Sequence, residues 1–155
     1  MKIIFKMLFI FLFTTSCGFT IVEKDLRNKF EISEITTSGD SRINYKIKNK
    51  ILFTSSNLEK KLIDMKLQTV KAKEIKEKNI RNEITKYQIT ITAKVLINRT
   101  GNNNVAEFNI IKSGDFNVSN QHSQTLNDEK KLINLLIDDL AKEILDEIFL
   151  RVDDL

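Results

Sequence analysis

Between residues 84 and 98 the chain alternates: Tyr87, Ile89, Ile91, Ala93, Val95 and Ile97 take turns with Gln88, Thr90, Thr92, Lys94, Leu96 and Asn98. Successive side chains of a strand point to opposite faces, so this stretch predicts a strand with one dry face and one wet face. A strand of that kind cannot stand alone. It needs neighbours to pair its backbone and a second layer to cover its apolar row. Residues 99–104, RTGNNN, are rich in types that tolerate positive φ and predict a hairpin turn. Residues 105–118 then return antiparallel, with Ala106, Phe108 and Ile110 as the matching apolar row. Ser113, Gly114 and Asp115 suggest a bulge before Phe116 and Val118.

The covering layer is legible at the end of the chain. In residues 126–152, Ile133, Leu136, Ile137, Leu140, Ile144 and Ile148 recur at helical spacing, with Asn127 as the expected cap and Asp128 and Glu129 in the first turn. Residues 119–125 are expected to form a loop. Residues 41–55 fit two periods, because Ile43, Tyr45, Ile47, Ile51 and Phe53 alternate while Ile43, Ile47 and Ile51 also form a helical stripe. We read this segment as helix. Asp40 and Ser41 are good caps, and Lys46, Lys48 and Lys50 gather in the half that a helix dipole favours for cations.

Residues 61–78 read as a long strand ending in a solvated charged run from Lys73. Residues 29–37 read as a short strand broken by Ser38, Gly39 and Asp40. The order implies an α+β, two-layer sandwich: two helices packed on one face of a mostly antiparallel four-stranded sheet, the other face left open.

Residues 1–16 look like an export signal. Lys2 and Lys6 form a basic start, residues 7–13 are unbroken apolar, and Thr14, Thr15 and Ser16 precede Cys17, the only cysteine. The apolar run is far shorter than the about 20 residues of a membrane-spanning helix. The pattern resembles the lipobox of bacterial lipoproteins, which makes Cys17 the expected lipidation site and residues 17–28 a tether. An ordinary secretory cleavage site beside an incidental cysteine, or an uncleaved short anchor, are the alternatives. Thr14 stands where a lipobox usually has Leu.

Beyond residue 16 lie 139 of the 155 residues, enough for one domain, residues 29–155, with a self-sufficient core. That part carries 23 basic and 21 acidic residues, a balance that gives no argument for nucleic acid. One cysteine permits neither an internal disulfide nor a Cys-rich metal site. His122, the only histidine, sits in a polar stretch without evident ligand partners, and Asp138, Asp139, Glu143, Asp146 and Glu147 suit the solvated face of a helix. Gly39, Gly101 and Gly114 are isolated, outside any phosphate-cradling loop. No catalytic residue, metal or cofactor is expected, and the chain is not read as an enzyme.

Cys17–Gly18–Phe19, the opening strand and helix, the run from Ile80 to Asn103 with Arg81, Asn82, Tyr87 and Gln88, and the closing helix from Asn127 together resemble the LPS-assembly lipoprotein LptE family. The resemblance implies an outer-membrane lipoprotein on the periplasmic face, plugging an LptD-like β-barrel and assisting lipopolysaccharide transport without catalysis. It places the family's basic residue ahead of the central strand on Arg81. A second basic residue expected before the closing helix has no counterpart in Gln124, Thr125 and Leu126. The candidate contacts to lipopolysaccharide or a barrel wall are Arg81, Lys94 and Arg99. A periplasmic lipoprotein that binds a small ligand or scaffolds envelope machinery is the competing reading.

Overall fold

The computed structural model describes residues 30–54, 61–100 and 104–152. The expectations for the export signal, Cys17 and the tether lie outside the described residues. Six elements follow one another: β1 (Phe30–Gly39), α1 (Ser41–Thr54), β2 (Lys61–Lys78), β3 (Ile84–Arg99), β4 (Val105–Asn117) and α2 (His122–Arg151). The strands form one sheet in the order β1-β2-β3-β4. β1 runs parallel to β2, and the other two pairs are antiparallel. A parallel neighbour cannot be reached by a tight turn, and α1 supplies the crossover. The architecture is the expected α+β sandwich, with both helices on one face.

Ile63, Met65 and Leu67 of β2, Ile89 to Ile97 at every second position of β3, and Phe108, Ile110 and Phe116 of β4 are buried on that face. Against them pack Ile43, Ile47 and Ile51 of α1 and Leu136, Ile137, Leu140, Ala141, Ile144 and Ile148 of α2. The helical reading of residues 41–54 is decided by Asp40. Its Oδ1 accepts the backbone N–H groups of Arg42 and Ile43, both at 3.1 Å, satisfying donors that an uncapped first turn leaves unpaired.

Where β1 stops, a polar knot joins three elements. Gly39 has φ +89°, and a Cβ there would lie 2.0 Å from the Thr69 carbonyl oxygen, so the site requires glycine. Asp40 N–H donates to that same carbonyl at 3.0 Å. The buried Asn44 donates its amide to Ser38 O at 2.7 Å and accepts from the buried Thr69 hydroxyl at 2.9 Å.

Three expectations are corrected. No register shift interrupts β3 and β4, and Ile89 faces Gly114 in regular pairing. Gly114 is there because a Cβ would meet Leu132 Cδ1 at 2.6 Å, so the glycine makes room for α2 and forms no bulge. Most of the loop expected at 119–125 is helix, since α2 starts at His122. Asn127 does not cap it. The first turn is fastened by the Thr125 hydroxyl, which accepts from Ser119 N–H at 2.9 Å, while Gln121 at the cap position makes no side-chain cap bond. The lysines of α1 stop short of its last turn, and their side chains are spent on partners in other elements in place of the helix end. Lys46 reaches Asn134, Lys48 the Ile35 carbonyl and Lys50 Asp138, so they tie α1 to its neighbours.

Candidate functional site

β1 leaves the sheet at Gly39, opposite Thr69, while β2 continues to Lys78 with β3. The sheet therefore narrows to three strands, with β4 following β3 as far as Lys86, and its tip is the β2–β3 turn of residues 79–83. Asn79 builds that tip. Asn82 N–H closes the turn on the Asn79 carbonyl at 2.9 Å, and Asn79 Oδ1 accepts from Arg81 N–H at 2.9 Å and Glu83 N–H at 3.0 Å. Asn82 adopts φ 63°, the left-handed region that asparagine tolerates better than most residues. Lys78 Nζ donates to its side chain at 3.0 Å.

The turn holds Arg81 outward with its side chain 78% exposed, and among the described residues its ion pairing is a loose 3.9 Å approach to Glu83. Beside it Ile80 is wholly exposed. An ordered tip that presents an isoleucine and an arginine to solvent suits contact with a partially apolar, anionic surface. Sequence reasoning missed Ile80. The available signal was a lone apolar residue inside an Asn-x-x-Asn turn.

The tip is supported from below. Tyr87 stacks on Phe116 with ring centroids 5.6 Å apart, and Lys73 Nζ lies 4.4 Å from the Tyr87 centroid while bridging to Glu129 at 2.6 Å. These contacts fix β2, β3, β4 and the start of α2 together. Lys86 bridges to Glu77 at 2.7 Å, and that hydrogen bond holds its ammonium above the ordinary lysine value of 10.5.

The structure does not bring the three candidate cations together. Arg81 precedes β3, Lys94 lies in its middle, and Arg99 ends it beside Ile63 of β2. At about 3.3 Å per residue the 16 residues of β3 separate the first from the last by about 50 Å. Lys94 stands on the open face and pairs with Glu107 at 2.6 Å. Arg99 is exposed at the end where Phe30 lies beside Lys61, so the chain enters the domain at the Arg99 end.

No described helix packs on the open face. Across three strands it carries the rows Gln68–Lys94–Asn109, Val70–Thr92–Ile111 and Ala72–Thr90–Ser113. Val70 and Ile111 are more than half exposed, but polar or small residues flank them on both sides. Of the carboxylates on α2, Asp138, Glu143 and Glu147 are engaged by Lys50, Lys112 and Arg151. Among the described residues no group of His, Cys, Asp or Glu could hold a metal ion, and no helix is long and apolar enough to cross a membrane.

No family model matches the sequence, and comparison with curated proteins finds no match. Solved structures do match. The fold is similar to rare lipoprotein B from Shewanella oneidensis, with 9% identity and TM-score 0.50, over 78% of this chain and 93% of that one. It is also similar to lipoprotein B from Nitrosomonas europaea, with 11% identity and TM-score 0.56, over 81% of this chain and 87% of that one. At such identity the likeness establishes the fold, and the chain shares the two-layer fold of these lipoprotein structures.

Proposed function

We propose that this chain is an outer-membrane lipoprotein, anchored through Cys17, that seats its domain inside a β-barrel of the LptD kind and assists lipopolysaccharide transport. Its role is to bind and support, without catalysis. The observation that carries the reading is the uncovered sheet face, whose Thr, Gln, Asn and paired Lys94 suit the polar interior of a large barrel. The fold shared with lipoprotein structures and the lipobox-like run before Cys17 support it. The opposite ends of β3 then have different tasks. The Arg99 end faces the anchor, and the tip with Ile80 and Arg81 meets lipopolysaccharide phosphates and acyl chains.

The test is crosslinking in cells. A photoreactive residue at Ile111, on the open face, should capture a barrel-sized outer-membrane protein, whereas one at Leu135, exposed on the outer side of α2, should capture it poorly. Capture from Leu135 alone, or no barrel from either position, overturns the plug. Recovery of a soluble envelope factor in its place would favour the small-ligand or scaffold reading. Mass spectrometry of the membrane fraction should find Cys17 acylated, since stable attachment needs more than one chain.

A further inference from the structure

On the helical side, away from the open face, lies a depression of about 590 Å³ between the start of α1, the part of β2 beyond β1, and the first half of α2. That volume is in the range of small-molecule sites. Its accessible apolar surface comes from the exposed Tyr45 and Leu126 and the half-buried Ile133, over a floor of the buried Ile43 and Ile137. The polar lining is lopsided in charge. Arg42, Lys46, Lys71 and Lys130 contribute four cations against the two carboxylates of Asp40 and Glu129.

Both carboxylates are already engaged. Asp40 caps α1, and Glu129 is held by Lys73 at 2.6 Å. Lys46 donates to Asn134, a neutral partner. Arg42, Lys71 and Lys130 enter no salt bridge among the described residues, whereas Lys73, Lys76, Lys86, Lys94 and Lys112 of the sheet each do. An apolar lining beneath a net excess of two cations selects for a molecule with an apolar body and a negative head.

The depression offers little for reading a sugar or a base. No buried side-chain polar atom among the described residues lacks a partner, and the buried amide of nearby Asn44 is spent on Ser38 and Thr69. Recognition therefore rests on apolar contact and charge. We infer that the α1–β2–α2 depression is a binding site for a single-chain alkyl anion, a fatty carboxylate, with its chain along Tyr45, Leu126 and Ile133 and its head between Arg42, Lys71 and Lys130. This site lies on the opposite side of the sheet from the proposed barrel contact. Either assignment can fail without the other.

The experiment labels the full-length chain in membranes with a diazirine-bearing fatty acid and maps the adducts by peptide mass spectrometry. Labelling should concentrate on peptides containing Tyr45 and Ile133. Laurate should compete, and dodecyltrimethylammonium, with an equally long chain and opposite charge, should not. Reversing two exposed charges in the pair Arg42→Glu and Lys71→Glu should cut labelling by about tenfold, the scale for two partly screened contacts turned repulsive. The thermal unfolding midpoint should stay unchanged, and crosslinking from Ile111 should persist. Equal competition by the cationic amphiphile, undiminished labelling of the charge-reversed chain, or adducts confined to the 79–83 tip or the open face would each overturn the site. Competition by dodecyl phosphate but not laurate would overturn the carboxylate assignment.

Discussion

Thr69 and Asn44 provide a sharp test of how β1, α1 and β2 are locked. Both are buried, and the Thr69 hydroxyl donates to Asn44 Oδ1 at 2.9 Å. Thr69→Val keeps the shape and removes the donor, leaving a buried amide oxygen unpaired at a cost of about 1–3 kcal/mol. Asn44→Leu removes more. Ser38 O loses its 2.7 Å donor, and the Thr69 hydroxyl is left with a long 3.4 Å approach to Asp40 O, so about 2–4 kcal/mol is expected. In the double variant the orphaned hydroxyl is replaced by a methyl group that needs no partner. It should be less destabilised than the sum of the single changes by about 1–2 kcal/mol. Urea titration followed by far-ultraviolet circular dichroism measures all four proteins, with an unchanged denaturant slope confirming that the native state is intact. Single effects that add to within about 0.5 kcal/mol would show the two side chains to be uncoupled. The knot would then not be what fastens α1 to β2.

Three further outcomes follow from the packing and the charges. Leu140 is fully buried in the core shared with Ile91, so Leu140→Ala should cost about 2–5 kcal/mol by thermal or chemical unfolding, and an unchanged midpoint would refute the assigned helix face. The hydrogen bond from Lys112 to Glu143, joining β4 to α2, holds the Lys112 ammonium above its ordinary 10.5. A raised folded-state value means that this bridge contributes fully below the unfolded value and is lost as pH rises through the folded one; Glu143→Gln should return Lys112 toward the ordinary value in a nitrogen-detected titration. Arg81→Ala should leave stability within about 0.5 kcal/mol, because the side chain is exposed, yet weaken lipopolysaccharide binding or the permeability barrier of cells. Wild-type behaviour in both assays would return Arg81 to an ordinary solvated charge.

The sheet was legible where a local period governs it. Phe108, Ile110 and Phe116 are all at even positions, and the parity survives through Gly114, so the apolar row itself carried the regular pairing that the Ser-Gly-Asp composition obscured. What the row could not show is Leu132 of α2 pressing on Gly114, a contact between residues far apart in the chain. The same limit hid the start of α2. Asn127 has good capping chemistry, but the first turn is fixed five residues earlier, where Thr125 binds back to Ser119. Lys46, Lys48 and Lys50 were assigned to a dipole because their partners on β1 and α2 are visible only after folding. The depression is hidden for this reason too, being assembled from residues in the forties, at 71 and in the 126–137 stretch.

The separation of the candidate cations, by contrast, was implicit in the strand. Arg81 and Arg99 flank a single alternating run, so they had to fall at its opposite ends. The fold adds which end does what. Gly39 turns the chain out of the sheet at φ +89° and Asp40 starts α1 at once, so β1 cannot follow β2 past Thr69. The remaining part of β2 has β3 alone as its partner, and its charged side chains keep that free edge from pairing with other chains. The domain thus extends the β2, β3 and β4 part of its sheet away from the end where the chain enters, with the β2–β3 turn as its tip. An anchored protein built this way can hold one end near its membrane and still present Ile80 and Arg81 about 50 Å away, a reach set by strand length. Shortening β2 and β3 by two residues each should keep the core residues paired while drawing the tip back by about 7 Å. Loss of lipopolysaccharide delivery in such a chain, with stability and membrane attachment retained, would show that the reach itself is used; full delivery would show that the tip's position is immaterial.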